Sequence, residues 1–91
     1  MVSATGDVAQ AGFYGPVKVS IQVSNGRITS ITPISWPIGG TSSAISNYSI
    51  PLLINDALNS QSSSVATISG ASYTSAAFRS TLASAMAKAG L

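Results

Sequence analysis

Any chemistry in this chain has to be done without histidine or cysteine, because neither occurs among its 91 residues. That removes Ser-His-Asp and Cys-His arrangements, disulfides, thiolate chemistry and metals held by nitrogen or sulfur. The carboxylates are Asp7 and Asp56, too few for an oxygen-lined metal cage and expected on different elements, where they read as solvated surface groups. A Ser–Lys dyad would need Lys18 or Lys88, and Ser84 with Lys88 has the spacing of a helix face rather than of an active-site motif. The inventory argues against acid–base and hydrolytic catalysis.

What remains is hydroxyls, backbone amides, glycines and a few aromatics. They concentrate in Ser69-Gly70-Ala71-Ser72-Tyr73-Thr74-Ser75, expected to join a short strand to a helix N-terminus. Such a junction offers amide N–H groups and the positive end of the helix dipole, which together seat a phosphate. Gly70 and Ala71 let the backbone approach a ligand; Ser72, Thr74 and Ser75 add hydroxyls. Trp36, Tyr48 and Tyr73 each offer a face on which a planar ring can stack. Physically, the segment also reads as a plain capped helix with a glycine turn. Tyr48 reads equally as a core residue on an apolar helix face, whereas Trp36, beside Gly39-Gly40, has no evident core role.

These residues need elements to position them. Val17, Val19, Ile21 and Val23 alternate with polar residues, the period of a strand with one buried face. Asn25-Gly26 suits a type I′ turn, and Arg27 to Thr32 returns. Ile28 and Ile31 are out of step by one residue, which predicts a bulge or strong twist. Ala4 to Phe13 reads as a third strand weakened by Gly6 and Gly12. Pro33 to Ser43 reads as a loop. A helical region follows with Ile45, Tyr48, Leu52, Leu53, Ala57 and Leu58 on its apolar side, interrupted or kinked by Pro51. Val65 to Ile68 is a short strand candidate. Phe78, Leu82, Ala85, Met86 and Ala89 mark a last amphipathic helix, with Thr74 or Ser75 as N-cap and Gly90 ending it. The expected fold is α+β: a small antiparallel sheet, a hairpin plus flanking strands, with two helical segments packed on it. Residues 1–91 are expected to form a single domain, with room for one core and one site.

Composition bounds the partners. Apolar residues make up 45% of the chain, an ordinary globular share, but charged residues only 7% against about 25% in typical domains. Lys18, Arg27, Arg79 and Lys88 are scattered and form no cationic footprint, so no nucleic-acid partner is expected. No apolar run is long enough to span a bilayer, and Met1 to Gly6 lacks the basic and apolar regions of a signal peptide.

The segment Ile68 to Ser75 resembles the Ser-Gly-Ala-Thr-Tyr-Thr-Ser signature of the FMN-binding domain family, which includes the small periplasmic subunits of the sodium-pumping quinone reductase and of the related Rnf complex. Tyr14-Gly15-Pro16-Val17-Lys18-Val19 with Asn25-Gly26-Arg27-Ile28-Thr29-Ser30-Ile31 resembles the family's opening hairpin. Ile45 to Leu53, with Tyr48 and Pro51, and Ala57-Leu58 with Gln61-Ser62 resemble its short members. The resemblance runs from about Gly6 to Ala89.

It implies FMN as cofactor, held at Ser69, Gly70, Ala71, Ser72, Tyr73, Thr74 and Ser75, with the ring towards Gly39, Gly40 and Ser42 and near Trp36 and Tyr48. In the family a flavin transferase can link FMN by a phosphoester to the fourth residue of the signature, here Ser72; the alternative is non-covalent FMN, and Thr74 is a second hydroxyl. The chain departs from the family in having Ser where Thr is usual, and Ser64-Val65-Ala66-Thr67 where an acidic residue commonly stands. The implied role is an extracytoplasmic electron carrier, not an autonomous enzyme. Its partners would be redox proteins or membrane quinone and respiratory components. A module of the same fold that no longer binds flavin is the alternative, and an FMN-dependent reductase ranks below both.

Overall fold

The alternation along the hairpin becomes a four-stranded antiparallel sheet. The computed structural model describes residues 2–11, 15–36, 40–68 and 71–91, with side chains in the first helix described from position 47 on. Strand β1 spans Val2–Thr5, β2 Ala9–Gln10, β3 Pro16–Ser24 and β4 Arg27–Ser35; helix α1 spans Gly40–Ser60 and α2 Ser72–Lys88. Strand β3 is central. β1 and β2 pair with successive stretches of one of its edges, and β4 pairs with the other.

The core follows from the pattern. Val17, Val19, Ile21 and Val23 are buried, and Phe78, Leu82 and Ala85 of α2 join them. The β3–β4 turn has positive φ at Asn25 (55°) and Gly26 (75°), as a type I′ turn requires. The expected bulge is present: pairing steps from Gln22↔Ser30 to Val23↔Ile28. The extra residue brings Ile28 and Ile31 to the same buried side. A second irregularity separates Lys18↔Ser35 from Val19↔Pro33. Pro33 is tolerated there because β4 is an edge strand and the ladder does not need its missing N–H.

Several boundaries differ from the sequence reading. The first strand is two short pieces, broken at 6–8. Gly6 is buried, its N–H donates to the Val19 carbonyl (2.9 Å), and a Cβ there would collide with the Thr81 carbonyl of α2. Close approach of a helix, not strand pairing, governs that position. Phe13, the expected end of that strand, lies outside the described residues. The expected loop from Pro33 to Ser43 is shorter at both ends, because β4 runs to Ser35 and α1 begins at Gly40. Pro51 sits inside one continuous helix. Tyr48 and Leu52, expected on its apolar side, are exposed, while Ile50, Leu53 and Ala57 are buried.

Two side chains do work that the sequence did not announce. Gln61 follows α1 with φ +56°, and its N–H donates to the Ala57 carbonyl (2.7 Å). Its amide oxygen accepts from the Ile28 N–H (2.6 Å), while its Nε2 donates to the Ile28 and Leu58 carbonyls (3.0 and 2.8 Å). Gln61 thus covers part of the β4 edge and locks the end of α1 to the bulge. Thr81, fully buried on α2, accepts from the Val19 N–H (3.3 Å). Asp7 is a solvated surface carboxylate, as expected, and it also pairs with Lys88 at 2.8 Å.

Candidate functional site

The sequence segment singled out for its hydroxyls lies where α2 begins. Ala71 is the N-cap (φ −134°, ψ 43°), with no side-chain cap hydrogen bond and no acidic residue in the first turn. Ser72 opens the helix, and neither Thr74 nor Ser75 caps it, contrary to the sequence expectation. The reason is geometric: the Ser75 N–H already donates to the Ala71 carbonyl (2.9 Å). The amides of Ser72 and Thr74 therefore lie ahead of the first helical hydrogen bond, where a helix has no acceptor of its own to offer.

The hydroxyls of this turn divide into two kinds. Ser72 is exposed, whereas Thr74 is 2% exposed and Ser75 fully buried. The Ser75 hydroxyl donates to the Ala71 carbonyl (2.8 Å) and accepts from the Ile68 N–H (3.0 Å). The Ala71 N–H donates to the Ile68 carbonyl (2.9 Å). Residues 68 and 71, which flank Ser69 and Gly70, are thus tied to each other and to α2. Ser69 and Gly70 themselves lie outside the described residues. Tyr73 is 56% exposed and stands beside Ser72 at the helix tip.

The segment feeding this turn is not the strand expected at Val65 to Ile68; among the described residues it pairs with no strand. Side chains hold it instead. Arg79 donates to the Val65 carbonyl (3.2 Å) and the Thr67 hydroxyl (3.1 Å), and Asp56 accepts from the Ala66 N–H (3.1 Å). Sequence reading passed over Arg79 and Asp56 as scattered surface charges. Nothing in the spacing of isolated residues marks them as partners of a backbone 10 to 14 positions away.

The aromatic part of the expected site lies on other elements. Trp36, half-buried just beyond β4, lines a cavity of about 190 Å³ with Pro33, Asn47, Ile50 and Pro51. Pro51 has no N–H to give the Asn47 carbonyl, so the stretch of α1 that forms one wall lacks that helical hydrogen bond. Tyr48 follows Asn47 but is 60% exposed. Gly39 lies outside the described residues; Gly40 and Ser42 fall within the first turn of α1, Ser42 among the side chains not described.

Residues 12–87 match the model of the FMN-binding domain family. The chain belongs to the FMN-binding domain family. FMN is the cofactor this assignment supports, and the match spans the hairpin, α1 and most of α2. No curated protein matches the chain. The α2 N-terminus suits the phosphate of such a cofactor: it has an exposed hydroxyl, no side-chain cap and no first-turn carboxylate to repel an anion. Among the described residues, no helix is long and apolar enough to cross a membrane.

Proposed function

We propose that this member of the FMN-binding domain family is an electron-transfer module, its FMN phosphate seated at the start of α2 and esterified to Ser72. The observation that carries the reading is the start of α2, where Ala71 gives no side-chain cap and the exposed Ser72 occupies the acceptor position of the family signature. The amides of Ser72 and Thr74 hold the phosphate, and the Ser72 hydroxyl is presented to an external transferase while the Thr74 hydroxyl is withdrawn by burial. Attachment would exchange the P–O–P bond of a flavin dinucleotide for a bond from its FMN phosphorus to Ser72 Oγ, with the nucleoside monophosphate half leaving together with the Ser72 proton. When bound, FMN supplies the redox chemistry, and the protein supplies binding, orientation and electrostatics. Trp36 and the Pro33, Ile50 and Pro51 walls give a ring an apolar, stackable surface. The partners are redox proteins or quinone-linked respiratory components, and the module works outside the cytoplasm; both follow the family's periplasmic members.

The test is intact mass and visible absorbance after co-expression with a flavin transferase. The expected product is yellow and heavier by FMN less one water, and Ser72→Ala abolishes the added mass. Colour lost on denaturation would establish non-covalent FMN. A colourless protein in excess FMN would overturn the reading in favour of a module of this fold that carries no flavin.

A further inference from the structure

Four consecutive residues ahead of the α2 N-terminus, Val65 to Ile68, are each held by a side chain, and among the described residues none pairs with a strand. Val65 offers its carbonyl and Thr67 its hydroxyl to Arg79; Ala66 gives its N–H to Asp56; Ile68 gives its N–H to Ser75. Ser75 and Arg79 are one turn apart on α2 and so share a face. The Ser75 hydroxyl both donates and accepts while fully buried, so its geometry is over-determined. A sheet ladder would hold this segment through its own backbone. Here its position against the helix start is set by side chains, Ser75 and Arg79 of α2 and Asp56 of α1.

From this arrangement we infer that Ser75 and Arg79 are positioning residues for the phosphate seat, and that they set the preference for a phosphorylated over an unphosphorylated flavin. The inference rests on the FMN reading above. Ser75 acts through Ile68 and Ala71, which bracket Ser69 and Gly70, and not through contact with the phosphate. Without the Ser75 hydroxyl the Ile68 N–H loses its acceptor, and the segment is freed to shift relative to the first-turn amides. A ligand that uses only the ring surface near Trp36 does not sense that shift; one anchored by phosphate does.

The experiment uses the full chain purified without flavin. Backbone amide exchange of Ile68 and Thr67 is followed by NMR, and FMN and riboflavin affinities are measured by fluorescence quenching, for wild type, Ser75→Ala, Arg79→Met and Arg79→Lys. Ser75→Ala is expected to speed exchange at Ile68 about tenfold and to cut the FMN-over-riboflavin preference about tenfold, the worth of one hydrogen bond to a charged or buried group. Riboflavin affinity stays as in wild type. Arg79→Met lowers the preference in the same direction, and Arg79→Lys restores part of it.

If Ser75→Ala does not fold, Arg79→Met decides, because Arg79 reaches the segment from a half-buried position. A preference and an Ile68 exchange rate unchanged in the folded variants would overturn the clamp. Equal loss of FMN and riboflavin affinity would overturn it too, since that marks general loosening. Wild-type protein binding neither flavin would overturn the FMN reading alone, and the exchange measurement would still decide whether Ser75 and Arg79 hold the segment.

Discussion

The two ends of α2 are finished in opposite ways. At the C-terminus the chain satisfies itself: Ala89 is the C-cap, Gly90 follows at φ +82°, and the N–H groups of Gly90 and Leu91 return to the carbonyls of Ala87 (3.2 Å) and Met86 (2.9 Å). That is the Schellman pattern, and Lys88 lies in the last turn, where a cation suits the helix dipole. At the N-terminus Ala71 caps with no side chain, and the first turn carries no acid. One end is closed by its own backbone; at the other, among the described residues, no side chain caps the helix, and that is the end proposed to seat a phosphate. The helix between them is anchored in the core by Phe78, Leu82 and Ala85, all fully buried.

Substitutions that separate anchoring from ligand seating test this contrast. The largest effect falls in the anchor. Phe78→Ala should destabilise the flavin-free protein by about 3–5 kcal/mol, read as a fall in the urea midpoint at unchanged slope. If the loss were under about 1 kcal/mol, α2 would not be held by the core, and the open end would have no fixed place. Next comes the closed end. Gly90→Ala places a Cβ at positive φ and should cost about 1 kcal/mol. FMN affinity should not change, because the lost turn lies at the far end of the helix. A matching loss of FMN affinity would show that the two ends are not independent.

Closing the open end should reverse the signs. Ala71→Ser supplies the missing cap, and the flavin-free protein should gain about 0.5–1 kcal/mol. The same hydroxyl competes for the amides proposed to hold phosphate, so FMN affinity should fall several-fold while riboflavin affinity holds. Stability and affinity rising together would mean that the phosphate sits elsewhere.

How much of this was legible in the sequence depends on the kind of interaction. The hairpin, its turn and its bulge could be read because apolar alternation records which face of a strand is buried, and Ile28 and Ile31 break that alternation visibly. The Phe78–Leu82–Ala85 stripe and the Gly90 stop were legible for the same local reason. Val65 to Ile68 looked like a strand because its β-branched residues fit one, yet the segment is held by Arg79, Asp56 and Ser75. Such pairings are set by tertiary geometry and leave no periodic trace. The cap went to Ala71 instead of Thr74 or Ser75 because the Ser75 hydroxyl was already committed to Ile68 and Ala71. Family signature and helix-start chemistry both pointed to the start of α2; which of its hydroxyls is exposed and which builds the turn became visible only in three dimensions.

The smallest effect concerns the ion pair that ties the closed end to the sheet side. Lys88 donates to the Thr5 carbonyl (3.1 Å) and the Asp7 carboxylate (2.8 Å), and the Asp7 N–H donates to the Ser84 hydroxyl (2.9 Å). The Lys88 ammonium, by hydrogen bond and by charge, and then the Ser84 hydroxyl hold the Asp7 carboxyl below its ordinary value of 3.8. A carboxyl depressed by folding stabilises the native state above its unfolded pKa, and that contribution is lost as pH falls through the folded value. The urea midpoint should therefore drop slightly more between pH 5 and pH 3 in wild type than in Asp7→Asn, and added salt should shrink the difference. The effect stays small because Asp7 is 80% and Lys88 48% exposed. Identical acid profiles for the two proteins would assign the closed end of α2 to the Gly90 turn and the apolar anchor alone. The asymmetry between the two ends would then rest on backbone geometry rather than on charge.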